Sequence, residues 1–234
     1  MNSDQSFARV KDTFEQWAMY EMIVARNHML HAELADALAR WAVEFDRPMS
    51  VLDLGCGDAW LPVHAFQDSE VAQYVGFDLS ESAVDRARKL LEVWSGRTEV
   101  MLGNLIELIA KVPDASKNLV LASYSLHHFV NPQKQEVLSH CARVLQPDGT
   151  LVWIDSVMRD GESREAYLQR EGDEIMQWSG LSDAQRQKIV EHIWEADFPE
   201  SATWMNNATA QAGFAPGTLL LEDEHFAAWA FRKP

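Results

Sequence analysis

Along residues 6 to about 45, apolar positions recur at helical spacing: Phe7, Val10, Phe14 and Trp17, then Met22, Ile23, Leu30, Leu34, Leu38, Trp41 and Phe45. This pattern predicts two or more helices ahead of the main domain. From residue 50 the pattern changes to short apolar runs, at "SVLDLG" (50–55), "YVGFDL" (74–79), "TEVMLG" (98–103), "NLVLASY" (118–124) and "TLVWIDS" (150–156). Helix-like segments separate them around 58–68, 81–94, 104–110 and 132–145. Ser80 can cap the second of these, with Glu81 in its first turn, where the helix dipole favours negative charge. "QPDGT" at 146–150 is turn chemistry that ends the fourth helix before the next strand. Strands alternating with helices imply parallel pairing through right-handed crossovers, hence a doubly wound α/β sheet.

After Ser156 the rhythm breaks. Residues 159–200 are polar and helix-prone, too long for an ordinary connection, and predict a helical insertion. Strand-like sequence resumes at "TLLLED" (218–223) and "HFAAWAFR" (225–232). Little more than a tight turn separates these runs, so they should pair antiparallel as a closing hairpin. The expected division is a helical cap at 1–47, a core at 48–156, a helical insertion or cap at 157–212 and a hairpin completing the core sheet at 213–234.

Composition changes this picture in two ways. The chain has 234 residues and 47% hydrophobic positions, enough for one substantial core, and a formal net charge of −16. Nucleic-acid affinity comes largely from Lys and Arg neutralising phosphates, so a nucleic-acid substrate is not expected. A neutral or cationic small molecule is compatible. Cys56 and Cys141 are too few for a disulfide framework, the N-terminal stretch has no apolar signal region, and no run approaches a membrane span. The expectation is a cytoplasmic protein, monomer or homodimer, with no membrane partner.

The chemistry concentrates at "VLDLGCGDAW" (51–60). A strand, a glycine turn and a helix make a nucleotide cradle, but a dinucleotide fingerprint needs a third glycine where this chain has Trp60. Asp58 stands where a pyrophosphate would meet the helix, and Asp53 adds negative charge at the strand mouth. Asp78 follows Gly57 by 78 − 57 = 21 residues, the spacing of an acid that accepts from ribose hydroxyls. Asp53 and Asp78 could each instead cap a local turn. Taken together, the residues describe a site for an adenosine-type nucleoside with a cationic, phosphate-free tail, a description that S-adenosyl-L-methionine fits.

At these stretches the chain resembles the class I S-adenosylmethionine-dependent methyltransferases. The matching pieces are "VLDLGCGDA", "VGFDLSESAVDRAR", "GNL", "LVLASYSLHHFVNP" and "VLQPDGTLVW", in family order over roughly residues 48–156. The resemblance implies a Rossmann-like three-layer sandwich around a seven-stranded, mostly parallel sheet with an antiparallel last strand. It also implies cofactor contacts from Asp53, Gly55, Cys56, Gly57, Asp78, Leu79, Asn104, Leu105, Ser123 and Tyr124. Gly55 and Gly57 would line the methionine moiety, Asp53 its amino group, Asp78 the ribose and Leu79 the adenine. Asn104 stands where the family often has an acid accepting from the adenine amino group.

Methyl transfer from a sulfonium needs alignment and exclusion of water, and a base only for a protonated nucleophile. "SYSLHHF" supplies His127 and His128 as candidate catalytic residues, His128 falling on the family's Leu-x-His pattern. Trp17, Tyr20, Trp178 and Trp204 are candidate substrate contacts from the caps, although aromatic residues at helical spacing also build cores. Trp194 and the acids Glu171, Asp173 and Glu174 lie in the same segments. His28 and His31 share a helical face without a further ligand motif, no acidic pair follows the fourth strand, and no metal site is expected. Two other classes remain open at this point: a nicotinamide-dependent oxidoreductase, and a non-catalytic sensor that keeps the cofactor site.

Overall fold

The computed structural model describes residues 17–45 and 47–234. Phe7, Val10 and Phe14, and the side chain of Trp17, lie outside the described residues. The helices are α1 (Trp17–Ala25), α2 (His31–Ala42), α3 (Trp60–Ala65), α4 (Glu81–Leu90), α5 (Leu105–Ile109), α6 (Asn131–Val144), α7 (Arg164–Ile175), α8 (Asp183–Ala196) and α9 (Ala202–Gln211). The strands are β1 (Met49–Leu54), β2 (Val71–Asp78), β3 (Thr98–Leu102), β4 (Lys117–Ser123), β5 (Leu145–Met158), β6 (Glu200–Ser201), β7 (Thr218–Glu222) and β8 (Phe226–Arg232).

The main sheet has the order β3-β2-β1-β4-β5-β8-β7. Strands β1 to β5 pair in parallel, whereas β8 runs antiparallel to both β5 and β7. The expected hairpin is therefore present, and β8 inserts between β5 and β7. The reversal of order beside β1 opens a crevice at the carboxyl ends of β1 and β4, the usual ligand position in open α/β sheets.

Local chemistry accounts for several boundaries. Ser80 caps α4 as expected, its hydroxyl accepting from the Ala83 N–H at 3.3 Å. Ser163, Ser182 and Ser201 cap α7, α8 and α9 in the same way. The "QPDG" segment does not form a separate turn as expected. It begins the long β5, where the register against β4 shifts between Lys117 and Leu119, and Asp148 absorbs the irregularity at φ 61°. The Asp148 N–H donates to Lys233 O at 3.0 Å, tying the bulge to the chain end beyond β8.

Packing divides the helices differently from the sequence boundaries. Leu34, Leu38 and Ala42 of α2 share a cluster with Val51, Phe66, Leu119 and Ile154, so α2 belongs to one layer of the sandwich. The opposite layer includes α5, α6 and α9, with Met205 and Ala208 of α9 beside Val137 and Trp153. Among the described residues the cap is formed by α1, α7 and α8: Met19 and Ile23 pack with Tyr167, Ile175, Trp178, Ile189 and Ile193. Leu38 is fully buried, whereas Val43, just past the same helix, is 84% exposed. Leu38→Ala should cost about 2–5 kcal/mol in urea unfolding, and Val43→Ala should stay within about 0.5 kcal/mol. Equal effects would detach α2 from the core.

Candidate active site

At the end of β1, Gly55 (φ 74°) and Gly57 (φ 53°) turn the chain in the left-handed region. Gly55 N–H and Cys56 N–H both donate to Phe77 O, at 2.8 and 2.9 Å, binding the turn to β2. A Cβ on Gly55 would stand 2.5 Å from Ser125 Cβ, so only glycine fits beneath the loop after β4. Asp58 Oδ1 accepts from the Trp60 N–H at 3.0 Å, and the Trp60 ring stacks on His64 at 3.9 Å. The start of α3 is thus supplied with its own carboxylate and offers no place to a pyrophosphate. That geometry argues against a nicotinamide dinucleotide.

Asp78 makes local contacts and also faces the cavity. Its carboxylate accepts from the Gly57 N–H and the Ser80 N–H, each at 2.8 Å, and it still lines the cavity. A carboxylate has about four acceptor positions, so these backbone donors do not exhaust it. Asp53 is 1% exposed; one oxygen accepts from Tyr74 Oη at 2.7 Å, while Oδ1 faces the cavity without a partner among the described residues. Burial, opposed by the Tyr74 hydrogen bond, lifts its pKa to about 7. Burial also raises Asp58 and Asp78 above the usual carboxylate range. Tyr20 is shifted upward as well, by burial and then by these three acids.

The cavity runs from this turn to the far end of β4. Cys56, Leu79, Gly103, Leu105, Ser123 and Tyr124 line it, as do Tyr20 and Trp178 of the cap. Tyr124 holds φ 51°, and its hydroxyl donates to Met29 O at 2.5 Å, joining the strand end to the turn between α1 and α2. Strain of this kind persists where surrounding contacts over-determine it.

Four expectations need correction. Asn104 does not face the cavity: its side chain caps α5 by accepting from the Ile106 N–H at 2.9 Å, which leaves Gly103 and Leu105 as the cavity contacts. Trp204 packs away from the cavity, edge-on to Trp153 at 6.4 Å and beneath Lys134 Nζ at 5.4 Å. Asp173, Glu174 and Trp194 are exposed, and only Glu171 of that acidic run enters the cavity wall, paired with His225. His28 and His31 do not share a helix: Leu30, at φ 55°, separates them. His28 stacks on Trp178 at 4.8 Å, and His31 is buried at the start of α2.

His127 and His128 both line the cavity, in a 3₁₀ turn after β4. His127 Nδ1 donates to Asp155 of β5, and Nε2 lies 3.7 Å from Asp197 Oδ1. Asp155 is itself held by Trp153 Nε1 at 2.9 Å and by the backbone N–H groups of His127 and Ser156, each at 3.0 Å. His128 Nδ1 sits 3.2 Å from Asp197 Oδ1, and His192 Nε2 of α8 lies 3.9 Å from it. Burial disfavours a charge on His127, but Asp155 and Asp197 outweigh it and raise the pKa to about 9. Burial lowers His128, helped by the neighbouring His127, and takes His192 to about 4. Burial would raise Asp197, yet the histidines, His127 foremost, hold it at about 2.

Asp155, Asp197 and His192 escaped the sequence reading. Asp155 had a signal, an acid inside the apolar run of a buried strand. Asp197 and His192 had none, because the fold of the cap alone brings them to β4.

Comparisons with known proteins find similarity in sequence and in fold. The family described as "Methyltransferase domain" matches residues 51–149. The carboxy-S-adenosyl-L-methionine synthase of Aliivibrio salmonicida is 25% identical over 181 residues, 75% of this chain and 74% of that protein. Magnesium protoporphyrin IX methyltransferase from Synechocystis, solved with bound SAH, superposes with a TM-score of 0.66 at 17% identity, covering 96% of this chain and 98% of that one. The [4+2]-cyclase SpnF shares the fold with a TM-score of 0.62 at 16% identity, covering 86% and 80% of the two chains. Residues 51–149 thus match a methyltransferase domain, and the similarity over the longer chain supports a class I S-adenosylmethionine-dependent methyltransferase. The methyltransferase-domain match indicates use of S-adenosyl-L-methionine.

The raised pKa of Asp53 gives a pH signature. The carboxyl is near 3.8 when unperturbed and about 7 in the folded, ligand-free protein, so its contribution to stability is full below about pH 4 and lost as the pH rises through about 7. Asp53→Asn cannot ionise. Its stability advantage over the parent, measured by thermal denaturation without cofactor, should grow between about pH 4 and 7 and level off above. At about 1.4 kcal/mol per pKa unit, the gain amounts to a few kcal/mol. Parallel pH curves for the two proteins would remove Asp53 as the source.

Proposed function

We propose that this chain methylates a small neutral or cationic molecule seated between the α1–α7–α8 cap and the ends of β1 and β4. The observation that carries the reading is the cavity wall. It contains Asp53, Asp58, Asp78, Glu171 and Asp197, and among the described lining residues no lysine or arginine. A roofed cavity whose wall carries five carboxylates, with His127 already engaged by Asp155 and Asp197, suits a compact acceptor and disfavours a polyanion or a carboxylate. The relatives' carboxy-S-adenosyl-L-methionine carries one more carboxylate, and the same argument speaks against that chemistry here. The SpnF likeness concerns the fold alone.

The cofactor supplies an electrophilic methyl group on its sulfonium. Asp53 is suited to hold the amino group of the methionine end, with the Gly55–Gly57 backbone beside it, and Asp78 to accept from the ribose hydroxyls. Leu79 and Leu105 offer apolar contact to the adenine. Tyr20 closes over the glycine turn: a Cβ on Gly57 would lie 3.9 Å from its hydroxyl. Ser123 and Tyr124 flank the boundary between cofactor and acceptor. His127 and His128 stand at the acceptor end, where they orient the incoming nucleophile by hydrogen bonds and the cap excludes water.

The two buried free thiols, Cys56 and Cys141, support a reducing, cytoplasmic location. Among the described residues no helix is long and apolar enough to cross a membrane.

The test is transfer of labelled methyl groups to a panel of amines, phenols, thiols, carboxylic acids, RNA and protein. Transfer to uncharged or cationic small molecules is the expected result. Labelling confined to carboxylic acids or macromolecules would overturn the proposal, and binding of S-adenosylhomocysteine without any transfer would favour a sensor. Asp78→Ala should weaken S-adenosylhomocysteine binding by about 1–3 kcal/mol in calorimetry; unchanged affinity would take Asp78 out of the site.

A further inference from the structure

At the acceptor end Asp197 faces three histidines at once, and all four side chains line the same cavity. One ligand atom from each of His127, His128 and Asp197 lies within 4.8 Å of the others, and all three residues are buried. Metal-bound nitrogen and oxygen atoms at about 2.0–2.2 Å from an ion stand roughly 3.0–3.5 Å from each other. The distances of 3.2 and 3.7 Å from Asp197 Oδ1 to His128 Nδ1 and His127 Nε2 therefore need only small side-chain adjustments.

We propose that His127, His128 and Asp197 form a binding site for a divalent first-row transition metal, with His192 placed to act as a fourth ligand. Two imidazoles and a carboxylate are a donor set for zinc, iron, cobalt or nickel rather than for the all-oxygen preference of calcium or magnesium. The outer contacts match a metal-ligating histidine. His127 gives its other ring N–H to Asp155, and Asp155 is anchored by Trp153 and two backbone N–H groups. A carboxylate behind a ligating histidine fixes its tautomer and aims Nε2 at the ion.

Charge balance points the same way. Asp155 and Asp197 are both buried carboxylates, and the nearby Lys134 is already engaged by Glu200 at 2.8 Å. A divalent ion offsets two carboxylates inside a region where unpaired charge is costly. No metal site was expected from the sequence, which has no acidic pair after the fourth strand and no ligand motif around His28 and His31; the carboxylate of Asp197 arrives from the segment after α8. With His127, His128 and Asp197 as ligands, and His192 occupying a fourth position only when it closes in, the site can keep a coordination position for an acceptor bearing an oxygen or nitrogen donor. That preference rests on the proposed acceptor site, whereas metal binding does not, so the two can fail separately.

The decisive experiment is titration of chelator-treated full-length protein with Co²⁺, followed by visible absorption, alongside Zn²⁺ content after dialysis by mass spectrometry. One equivalent per chain is expected, with a cobalt spectrum of mixed nitrogen and oxygen ligation. His128→Ala and Asp197→Asn should weaken binding at least tenfold, Asp155→Asn about 10–100-fold, and His225→Gln, outside the cluster, not at all. Circular dichroism identifies any variant that fails to fold, and for such a variant His192→Gln, nearer the protein surface, replaces it with an expected loss of affinity. Failure of the parent protein to retain either ion, or equal retention by all folded variants, would overturn the proposal.

Discussion

The close approach of Gly55 to Ser125 sets the geometry on which both halves of the site depend. Ser125 Oγ donates to Leu54 O at 2.6 Å, so the loop leaving β4 is laid across the turn leaving β1. No side chain fits between them. Because β1 and β4 are adjacent and parallel, this contact holds the glycine turn and the His127–His128 segment at one edge of the sheet. Tyr124, in the left-handed region between them, then reaches outward to Met29 and fastens the α1–α2 turn over the crevice. Methyl transfer depends on alignment of donor and acceptor, and a rigid junction of two strand ends supplies it.

Charge is the second constraint. The cavity wall gathers carboxylates whose repulsion and burial push protons onto them, as at Asp53, or demand a partner, as at Asp197. Such an arrangement is costly in the ligand-free protein and becomes favourable when a positive group enters. The sulfonium nucleoside brings positive charge to the glycine-turn end. At the other end the histidines do so in part.

The helical cap shows how a site is completed from distant sequence. Residues Met19 and Ile23 pack against Tyr167, Ile175 and Ile193, so the start of the chain and the insertion after β5 form one apolar cluster. That cluster carries Tyr20 to the glycine turn and His192 to Asp197. The third helix of the insertion, α9, joins the sandwich instead, because Met205 and Ala208 find their apolar partners on α6 and β5.

Periodicity located the central strands and the hairpin, while the cofactor reading came from the glycine turn, the spacing of Asp78 and the family resemblance, all of which leave their marks in contiguous residues. Asp53, Gly55, Gly57 and Asp78 were legible for that reason: the backbone of one β-turn-α unit positions the first three, and the strand beside it supplies the last. Asn104 misled because an amide before a short helix serves the backbone as readily as a ligand, and only the coordinates reveal which donor it meets. Trp204 misled because helical spacing marks an apolar face without saying which layer it covers. The Asp155–His127–Asp197–His192 constellation lay beyond sequence reading altogether. Its members come from a loop, a strand and a cap joined only by long-range packing, and their mutual distances exist only in the folded chain.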